Sequence, residues 1–257
     1  MTSSASGLSY DELEHYATAF GVSDQQVERD HLISHILAAV ATTPMREDLV
    51  FFGGTALSRT HLRDLRLSED IDLLVRGDRG RAAAVLTATI ERALARSHGR
   101  ITWQPALEST AGSTPATLST DSGLVVQVQL LDADSYPPWP CEPADIQQRY
   151  SDVPPARLHT LTLESFVVAK TAAWIDRHAA RDLYDLWALA ERGAISPAAA
   201  LLYEAIGPTG ETPADWAFAD PPDVPTWTAA LAHQCVIAVP PGEAAVRVAR
   251  AWRELGR

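Results

Sequence analysis

Asp70 and Asp72 are the two residues of this sequence whose type and spacing best fit the binding of a divalent cation. They lie at the start of a short apolar run, residues 71–75, which predicts a β-strand. Alternate side chains of a strand point to the same face, so both carboxylates can share one or two cations. Such cations neutralise charge on phosphates and align an attacking oxygen in nucleotidyl transfer. The pair therefore indicates a site for Mg²⁺, with Mn²⁺ as an alternative.

A glycine pair, Gly53-Gly54, follows another short apolar run, residues 49–52, and is itself followed by Thr55. Two glycines after a strand let the backbone come close to an anion. Backbone amides at the start of the next helix can bind phosphate oxygens. Gly53, Gly54 and Thr55 are therefore predicted to bind the phosphates of a nucleotide.

The glycine pair and the aspartate pair are each weak signals on their own. A Gly-Gly turn is common, and Asp-x-Asp at the end of a strand is more often a solvated edge than a metal site. The order strand, glycine turn, helix, strand over residues 49–75 is much less common. This order favours the functional interpretation.

Arg66 and Ser68 precede the aspartate pair and are candidates for contact with a nucleotide. The Arg66 guanidinium can pair with a triphosphate, although an ordinary ion pair with Asp64 or Glu69 is an open alternative. Ser68 borders the phosphate site if the strand begins early enough to put it on the face of Asp70. It otherwise caps the turn that enters the strand, and the sequence leaves both interpretations open.

Lys170 is the only lysine beside twenty arginines. We interpret this ratio as a coding bias that replaces Lys by Arg wherever either will serve. A lysine that survives such a bias is a candidate for chemistry that a guanidinium cannot do, because an ammonium is a compact charge that can lose its proton. Chance survival at the surface is an equally good explanation of this observation.

Hydrophobic periodicity and turn residues predict a mixed N-terminal part and a helical C-terminal part. The predicted helices of the N-terminal part are residues 9–20, 23–42, 55–62 and 81–96, and its predicted strands are residues 49–52, 71–75, 101–107 and 124–131. Capping-box sequences begin the first two helices. Residues 136–155 hold six prolines and predict an extended connection, and from residue 162 the pattern is helical throughout.

The composition predicts a globular protein of the cytoplasm that does not interact with membranes. A chain of 257 residues with 46% hydrophobic content can bury a sizeable core, and no segment approaches the roughly 20 apolar residues of a membrane-spanning helix. Its two cysteines, Cys141 and Cys235, have no neighbouring ligand pattern and predict reduced thiols. The net charge of -12 argues against nonspecific coating of nucleic acid, although nine arginines are concentrated between Arg59 and Arg100.

Taken together, these motifs resemble the nucleotidyltransferase superfamily with the polymerase-beta-like core, and within it the AbiEii or MenT type of toxin. The resemblance covers roughly residues 30–189. The matching segments are Asp30-His31, residues 51–57 (FFGGTAL), residues 68–72 (SEDID), Lys170, and residues 181–186 (RDLYDL).

The resemblance implies an α+β fold, in which a small mixed sheet is flanked by helices, with N-terminal helices and a C-terminal helical bundle. We expect the nucleotidyltransferase core with its N-terminal helices in residues 1–150 and the helical domain in residues 151–257.

The second motif implies that Lys170 contacts the triphosphate of the incoming nucleotide and that Asp185 is a second essential acid. Fifteen residues of unbroken helix would put these two residues about 22 Å apart along the axis. A shared site requires a break in the helix, which the resemblance puts near residues 178–180.

A third carboxylate is present on a later strand in many polymerase-beta-like enzymes. Here the polar face of residues 124–131 offers Gln127 and Gln129 instead. Glutamine is a poor magnesium ligand and cannot act as a base. Either Asp185 or Asp132 takes the role of the third acid, or the site works with two.

The resemblance leads to the hypothesis of a toxin that moves a nucleoside monophosphate from an NTP to RNA, with the acceptor end of tRNA as the expected target. A cognate antitoxin would be a further partner. Two alternatives remain open: transfer to a hydroxyl of a protein or small molecule, and a catalytically inactive homologue that only binds a partner. The residues themselves support an NTP site, whereas the acceptor is implied by the family.

Overall fold

The computed structural model describes residues 7–255, which form two compact units. The first unit contains the described residues up to Tyr136 together with Cys141–Thr160, and the second contains Pro137–Pro140 and the described residues from Leu161 onward. Residues 151–160, which the sequence-based division assigned to the helical domain, therefore belong to the first unit.

The first unit is built on one sheet. Its helices are α1 (Tyr10–Phe20), α2 (Asp24–Ala41), α3 (Gly53–Thr60) and α4 (Arg79–Leu94). Its strands are β1 (Leu49–Phe52), β2 (Asp70–Val75), β3 (Ile101–Trp103), β4 (Ala116–Thr120), β5 (Val125–Asp132), β6 (Cys141–Ile146) and β7 (Ala156–Leu161). The strand order is β3-β4-β5-β2-β1-β7-β6.

The sheet is mixed, which confirms the predicted α+β class. Strand β2 pairs antiparallel with β1 and parallel with β5, and β1 pairs parallel with β7. The central strands are buried because their apolar residues are covered on the face opposite the aspartates, and Ile71 and Leu73 of β2 have no exposed surface. Helix α3 connects β1 to β2, as the order of the motifs predicted.

Local capping fixes the two N-terminal helices. Ser9 accepts a hydrogen bond from the Glu12 amide, and the Glu12 side chain in turn accepts one from the Ser9 amide, which completes the predicted capping box. Ser23 caps α2 through the Gln26 amide. The predicted starts and ends of both helices are confirmed within two residues.

Three strands were not predicted from the sequence. Strand β4 lies in a Ser/Thr/Gly/Pro-rich stretch between the predicted strands of residues 101–107 and 124–131. Strands β6 and β7 lie in or just after the Pro-rich residues 136–155, which were interpreted as a connection. Strand β6 contains Pro143 and is at one edge of the sheet, where a residue without an N–H is tolerated. Strand β3 is at the other edge and ends before Pro105, so it is shorter than predicted.

The second unit is helical, as predicted. Its helices are α5 (Leu163–Arg177), α6 (Ala180–Glu191), α7 (Pro197–Ile206), α8 (Val224–Leu231) and α9 (Pro241–Leu255). Helix α6 packs against α5, α8 and α9, and Trp174, Trp227 and Trp252 are almost fully buried in this unit. Over residues 7–255, no helix combines the length and apolarity that crossing a bilayer needs.

Candidate active site

Asp70 and Asp72 lie on one face of β2, and both side chains are half-buried. Ile71 and Leu73 point to the opposite face and anchor the strand in the core. The two aspartates therefore share one strand face, as the alternation of the strand predicted. Because the strand begins at Asp70, both carboxylates lie at the end of β2 that follows the loop from α3.

The Asp72 carboxylate lies directly against Gly53, the first residue of α3. The register pairs Phe52 with Asp72 across β1 and β2, and a Cβ atom at position 53 would collide with the Asp72 carboxylate. Gly53 also has a φ of +78°, which side chains rarely adopt. Only glycine satisfies both conditions, so the turn and the acid form one site.

The start of α3 is suited to bind an anion. Its N-cap residue, Phe52, provides no side-chain hydrogen bond to the first amides of the helix. These amides and the helix dipole favour negative charge at this end. The Thr55 hydroxyl donates a hydrogen bond to the Asp70 carbonyl, which fixes the helix start to β2.

Arg66 and Ser68 border the same turn at Gly54. A Cβ at position 54 would lie 2.8 Å from Arg66 Nη2 and 3.6 Å from Ser68 Oγ. Both residues are buried, and Arg66 donates a hydrogen bond to the Leu67 carbonyl at 3.2 Å. Ser68 lies before the first residue of β2, so it reaches the turn from the preceding loop rather than from the strand.

A buried ionic network holds the other half of α3 and was not predicted from the sequence. Arg59 has no exposed surface and donates a hydrogen bond to Asp30 Oδ1 at 2.8 Å, while Tyr150 donates one to Asp30 Oδ2 at 2.9 Å. Arg149 pairs with the same carboxylate at 3.4 Å. Burial lowers the pKa of Arg59 to about 10 despite the charge of Asp30, so the guanidinium stays protonated at neutral pH. The network ties α3 to α2.

Tyr136 is a further residue of this site that no sequence motif indicated. Its ring contacts Phe52 edge to face, with ring centroids 5.7 Å apart. Burial raises the pKa of the Tyr136 hydroxyl, and the charge of Asp72 raises it further. An aromatic ring therefore lies near the aspartate pair and offers a surface for stacking.

Strand β5 carries no carboxylate on the face of the aspartate pair. Gln127 is in register with Asp70 and Gln129 with Asp72, and the Gln129 amide donates a hydrogen bond to the Ser113 carbonyl. Asp132 is in register with Val75 and therefore lies on the opposite face. Of the alternatives for a third acid, the geometry of the sheet disfavours Asp132.

Lys170 and Asp185 meet within the second unit. Helix α5 ends at Arg177, its C-cap residue His178 has a left-handed φ of +49°, and α6 begins at Ala180. This break, predicted at residues 178–180, brings Lys170 Nζ to 2.7 Å from Asp185 Oδ2. Asp182 Oδ1 lies 2.9 Å from the same nitrogen.

The Lys170 ammonium is buried with both acids. Burial would raise the pKa of Asp182, but Lys170 and Arg177 outweigh it and lower that pKa to about 2. Asp182 was missed in the sequence, although its spacing of three from Asp185 puts both acids on one face of α6. The two aspartates fix the position and the charge of the lysine.

Comparison with known proteins identifies the family. Residues 35–236 match the family model described as the nucleotidyl transferase AbiEii toxin of type IV toxin–antitoxin systems. The chain belongs to the AbiEii family. The matched segment includes the glycine turn, the aspartate pair, Lys170 and Asp185. This chain is therefore a nucleotidyltransferase of the toxin–antitoxin type, and the resemblance inferred from its motifs is confirmed.

A solved structure supports the AbiEii fold over nearly the whole chain. MenT4, a nucleotidyltransferase toxin from Mycobacterium tuberculosis H37Rv, superposes with a TM-score of 0.67 at 19% sequence identity. The alignment covers 97% of this chain and 90% of MenT4. No curated protein sequence matches the chain. At this identity the similarity to MenT4 concerns the fold, whereas the family match carries the activity.

Proposed function

We propose that this AbiEii-family enzyme transfers a nucleoside monophosphate from an NTP to the acceptor end of tRNA, with Mg²⁺ held by Asp70 and Asp72. The observation that carries the proposal is the contact between the Asp72 carboxylate and Gly53. This contact would bring the oxygens that bind the metal and the helix start that binds the phosphates to one place. Such proximity is what a metal-bridged triphosphate needs.

The carboxylate oxygens of the aspartate pair are suitable ligands for Mg²⁺. Mg²⁺ prefers oxygen ligands and is commonly bound by one or two carboxylates plus phosphates and water. Asp70 and Asp72 are half-buried, so each carboxylate keeps an accessible side. The ion would neutralise charge on the triphosphate and align the attacking hydroxyl. The two glutamines on β5 favour a site with two acids on the sheet over a site with three.

The remaining residues around the turn would bind the nucleotide. The first amides of α3 would donate hydrogen bonds to phosphate oxygens, and Arg66 adds a positive charge next to Gly54. The Ser68 hydroxyl, on the same side of the turn, would be a further donor. Tyr136 would stack on the base, since its ring lies beside Phe52 and near Asp72.

Lys170 and Asp185 enter the proposal through the family motif, with the lysine as the contact to the triphosphate and Asp185 as an essential acid. The ion pairs with Asp182 and Asp185 support a positioning role for both acids. Because the lysine is held between two carboxylates, we expect it to act as a positive charge rather than as a base.

The RNA acceptor and the antitoxin rest on the family alone. The concentration of arginines in residues 59–100 is compatible with a local contact to RNA, whereas the net charge of -12 is unfavourable for tight nonspecific binding. A toxin of this family is expected to be controlled by an antitoxin, which we propose as a partner. Transfer to a protein or small-molecule hydroxyl is the competing activity.

Labelling experiments would test the proposal. The full-length protein is incubated with total RNA, or with a protein lysate, and each alpha-labelled NTP in turn, with and without Mg²⁺. We expect label in the tRNA fraction only with Mg²⁺, loss of label for Asp70→Asn, and normal labelling for the control Asp132→Asn. Label in protein or in a small molecule would show that the acceptor is not tRNA. Labelling by the Asp70→Asn variant would refute the metal site.

A further inference from the structure

A cluster of histidines and one aspartate lies in the first unit and takes no part in the proposed transfer. His31 and His35 are on α2, and Asp152 is in the connection between β6 and β7. One ligand atom from each lies within 4.8 Å of the others. In the described part of the chain, residues 7–255, no other trio of His, Cys, Asp or Glu has this arrangement.

The local sequence explains why these side chains meet. His31 and His35 are four residues apart, so they project from the same face of α2. The connection that carries Asp152 is held to the same helix by Tyr150, whose hydroxyl donates to Asp30. The result is a fixed arrangement of two imidazoles and one carboxylate.

The distances fit the edges of a coordination tetrahedron. His31 Nε2 lies 3.0 Å from Asp152 Oδ1, His35 Nε2 lies 3.2 Å from Asp152 Oδ2, and the two Nε2 atoms are 3.2 Å apart. Around a tetrahedral Zn²⁺ with bonds of about 2.1 Å, neighbouring ligand atoms are roughly 3.4 Å apart. Hydrogen bonds explain the cluster less well, because two Nε2–H groups that both point at Asp152 would also face each other.

His98 provides the second observation. Its ring centroid lies 5.4 Å from that of His31 and 5.2 Å from that of His35. The residue is only 9% exposed, and its Nε2 is buried and makes no hydrogen bond. Its Nδ1 lies 2.9 Å from Ser97 Oγ. When Nδ1 donates to the Ser97 hydroxyl, the buried Nε2 keeps a lone pair that no hydrogen bond uses, as in an imidazole that can bind a metal.

We propose that His31, His35 and Asp152 bind Zn²⁺, and that the neighbouring His98, which lies outside the trio in the structure, turns towards the ion as the fourth ligand. Nitrogen donors of this kind suit zinc and disfavour Mg²⁺ and Ca²⁺, which prefer oxygen. Four protein ligands would leave no open position, which is typical of a structural site. The ion would join α2, the turn after α4 and the β6–β7 connection, and would thereby stabilise the network of Asp30 and Arg59 behind α3.

Zinc content of the full-length, untagged protein tests the proposal directly. After chelation, the protein is reloaded with Zn²⁺, dialysed and measured by mass spectrometry of the metal, and it is titrated in parallel with Co²⁺. We expect one zinc per chain, the intense visible spectrum of four-coordinate Co²⁺, and a rise in Tm on zinc binding. Zinc at background level, or only the pale spectrum of six-coordinate Co²⁺, would overturn the proposal.

Variants separate this site from the aspartate pair. His35→Ala and Asp152→Asn should each lose the bound zinc and the zinc-dependent rise in Tm, whereas Asp72→Asn and the exposed control His233→Ala should retain both. Asp152 is partly exposed and Asn has the same shape, so this variant is expected to fold, which circular dichroism checks. Zinc retained by both ligand variants would contradict the assignment of these ligands.

Discussion

Asp70 and Asp72 in the first unit are half-buried at the start of a strand, whereas Asp182 and Asp185 in the second unit are almost completely buried against Lys170. The same residue type is therefore suited to two tasks. At the strand, carboxylates with an accessible side can take up a cation from solution. In the helical core, carboxylates without access to solvent need a permanent cation, which the chain supplies as its only lysine. Accessibility, rather than residue type, distinguishes the proposed metal-binding acids from the proposed positioning acids.

The largest expected effect is the loss of transfer on replacing Asp72 by Asn. The amide keeps the shape of the side chain but is a poor magnesium ligand, so the rate of nucleotidyl transfer should fall on the order of a thousandfold. The Tm should not fall, because the change removes one of two like charges. Transfer assays and thermal melting check both parts, with Asp132→Asn as the control. A lower Tm with retained transfer would assign Asp72 to stability instead of catalysis and would contradict our distinction between the two aspartate pairs.

Replacing Lys170 by Ala, unlike replacing Asp72 by Asn, should lower the stability of the protein. It removes the buried ammonium from Asp185 and leaves Asp182 with Arg177 alone of its two cations, which is expected to cost about 3 kcal/mol in the free energy of unfolding. Urea denaturation measures this cost. Lys170→Arg keeps the charge but needs more space, so it should lose less stability than Lys170→Ala and still transfer more slowly than the wild type. Full transfer by Lys170→Arg would show that the shape of the ammonium is unimportant.

Low pH should destabilise the second unit, because Asp182 becomes protonated and loses its ion pairs. The folded-state pKa of about 2 lies below the ordinary value of 3.8, so the stabilisation is present above about pH 4 and is lost as the pH falls through about 2. The lost stabilisation amounts to about 2 kcal/mol for one group shifted by this much. Urea unfolding at a series of pH values checks the loss, and Asp182→Asn should show a smaller change over the same range. An equal change in that variant would assign the effect to other groups.

The smallest expected effects concern Ser68, which lies next to the glycine turn. Ser68→Ala should keep most of the transfer activity, because a single neutral hydrogen bond is worth only about 1 kcal/mol. Ser68→Glu should lose most of it, because an added carboxylate competes with NTP for the cation. Ser68→Gln has the size of Glu without its charge and is the matched control, since the site is buried. Equal losses of transfer activity in the Ser68→Glu and Ser68→Gln variants would indicate an effect of side-chain size rather than of charge.

Local patterns were sufficient for much of the candidate site. The strand, glycine turn, helix and strand of residues 49–75 were predicted because each step has a short-range signal, such as apolar runs bounded by glycine. The faces of β5 were also predicted, because Val126 and Val128 alternate with Gln127 and Gln129. Strand β7 has a similar alternation, with Ala156 and Leu158 buried, but it was overlooked beside the prolines.

The sequence by itself determined which residues are candidates to bind a cation and a phosphate, together with their order along the chain, because strand and helix periodicity act over a few residues. Tertiary structure alone decided their environment. The contact of Asp72 with Gly53 depends on the register of β1 and β2, and the burial of Lys170 with Asp182 depends on how α5 packs against α6. His31 contacts Asp152 although the two residues are more than a hundred positions apart in the sequence. Such contacts depend on long-range packing, which local patterns do not encode.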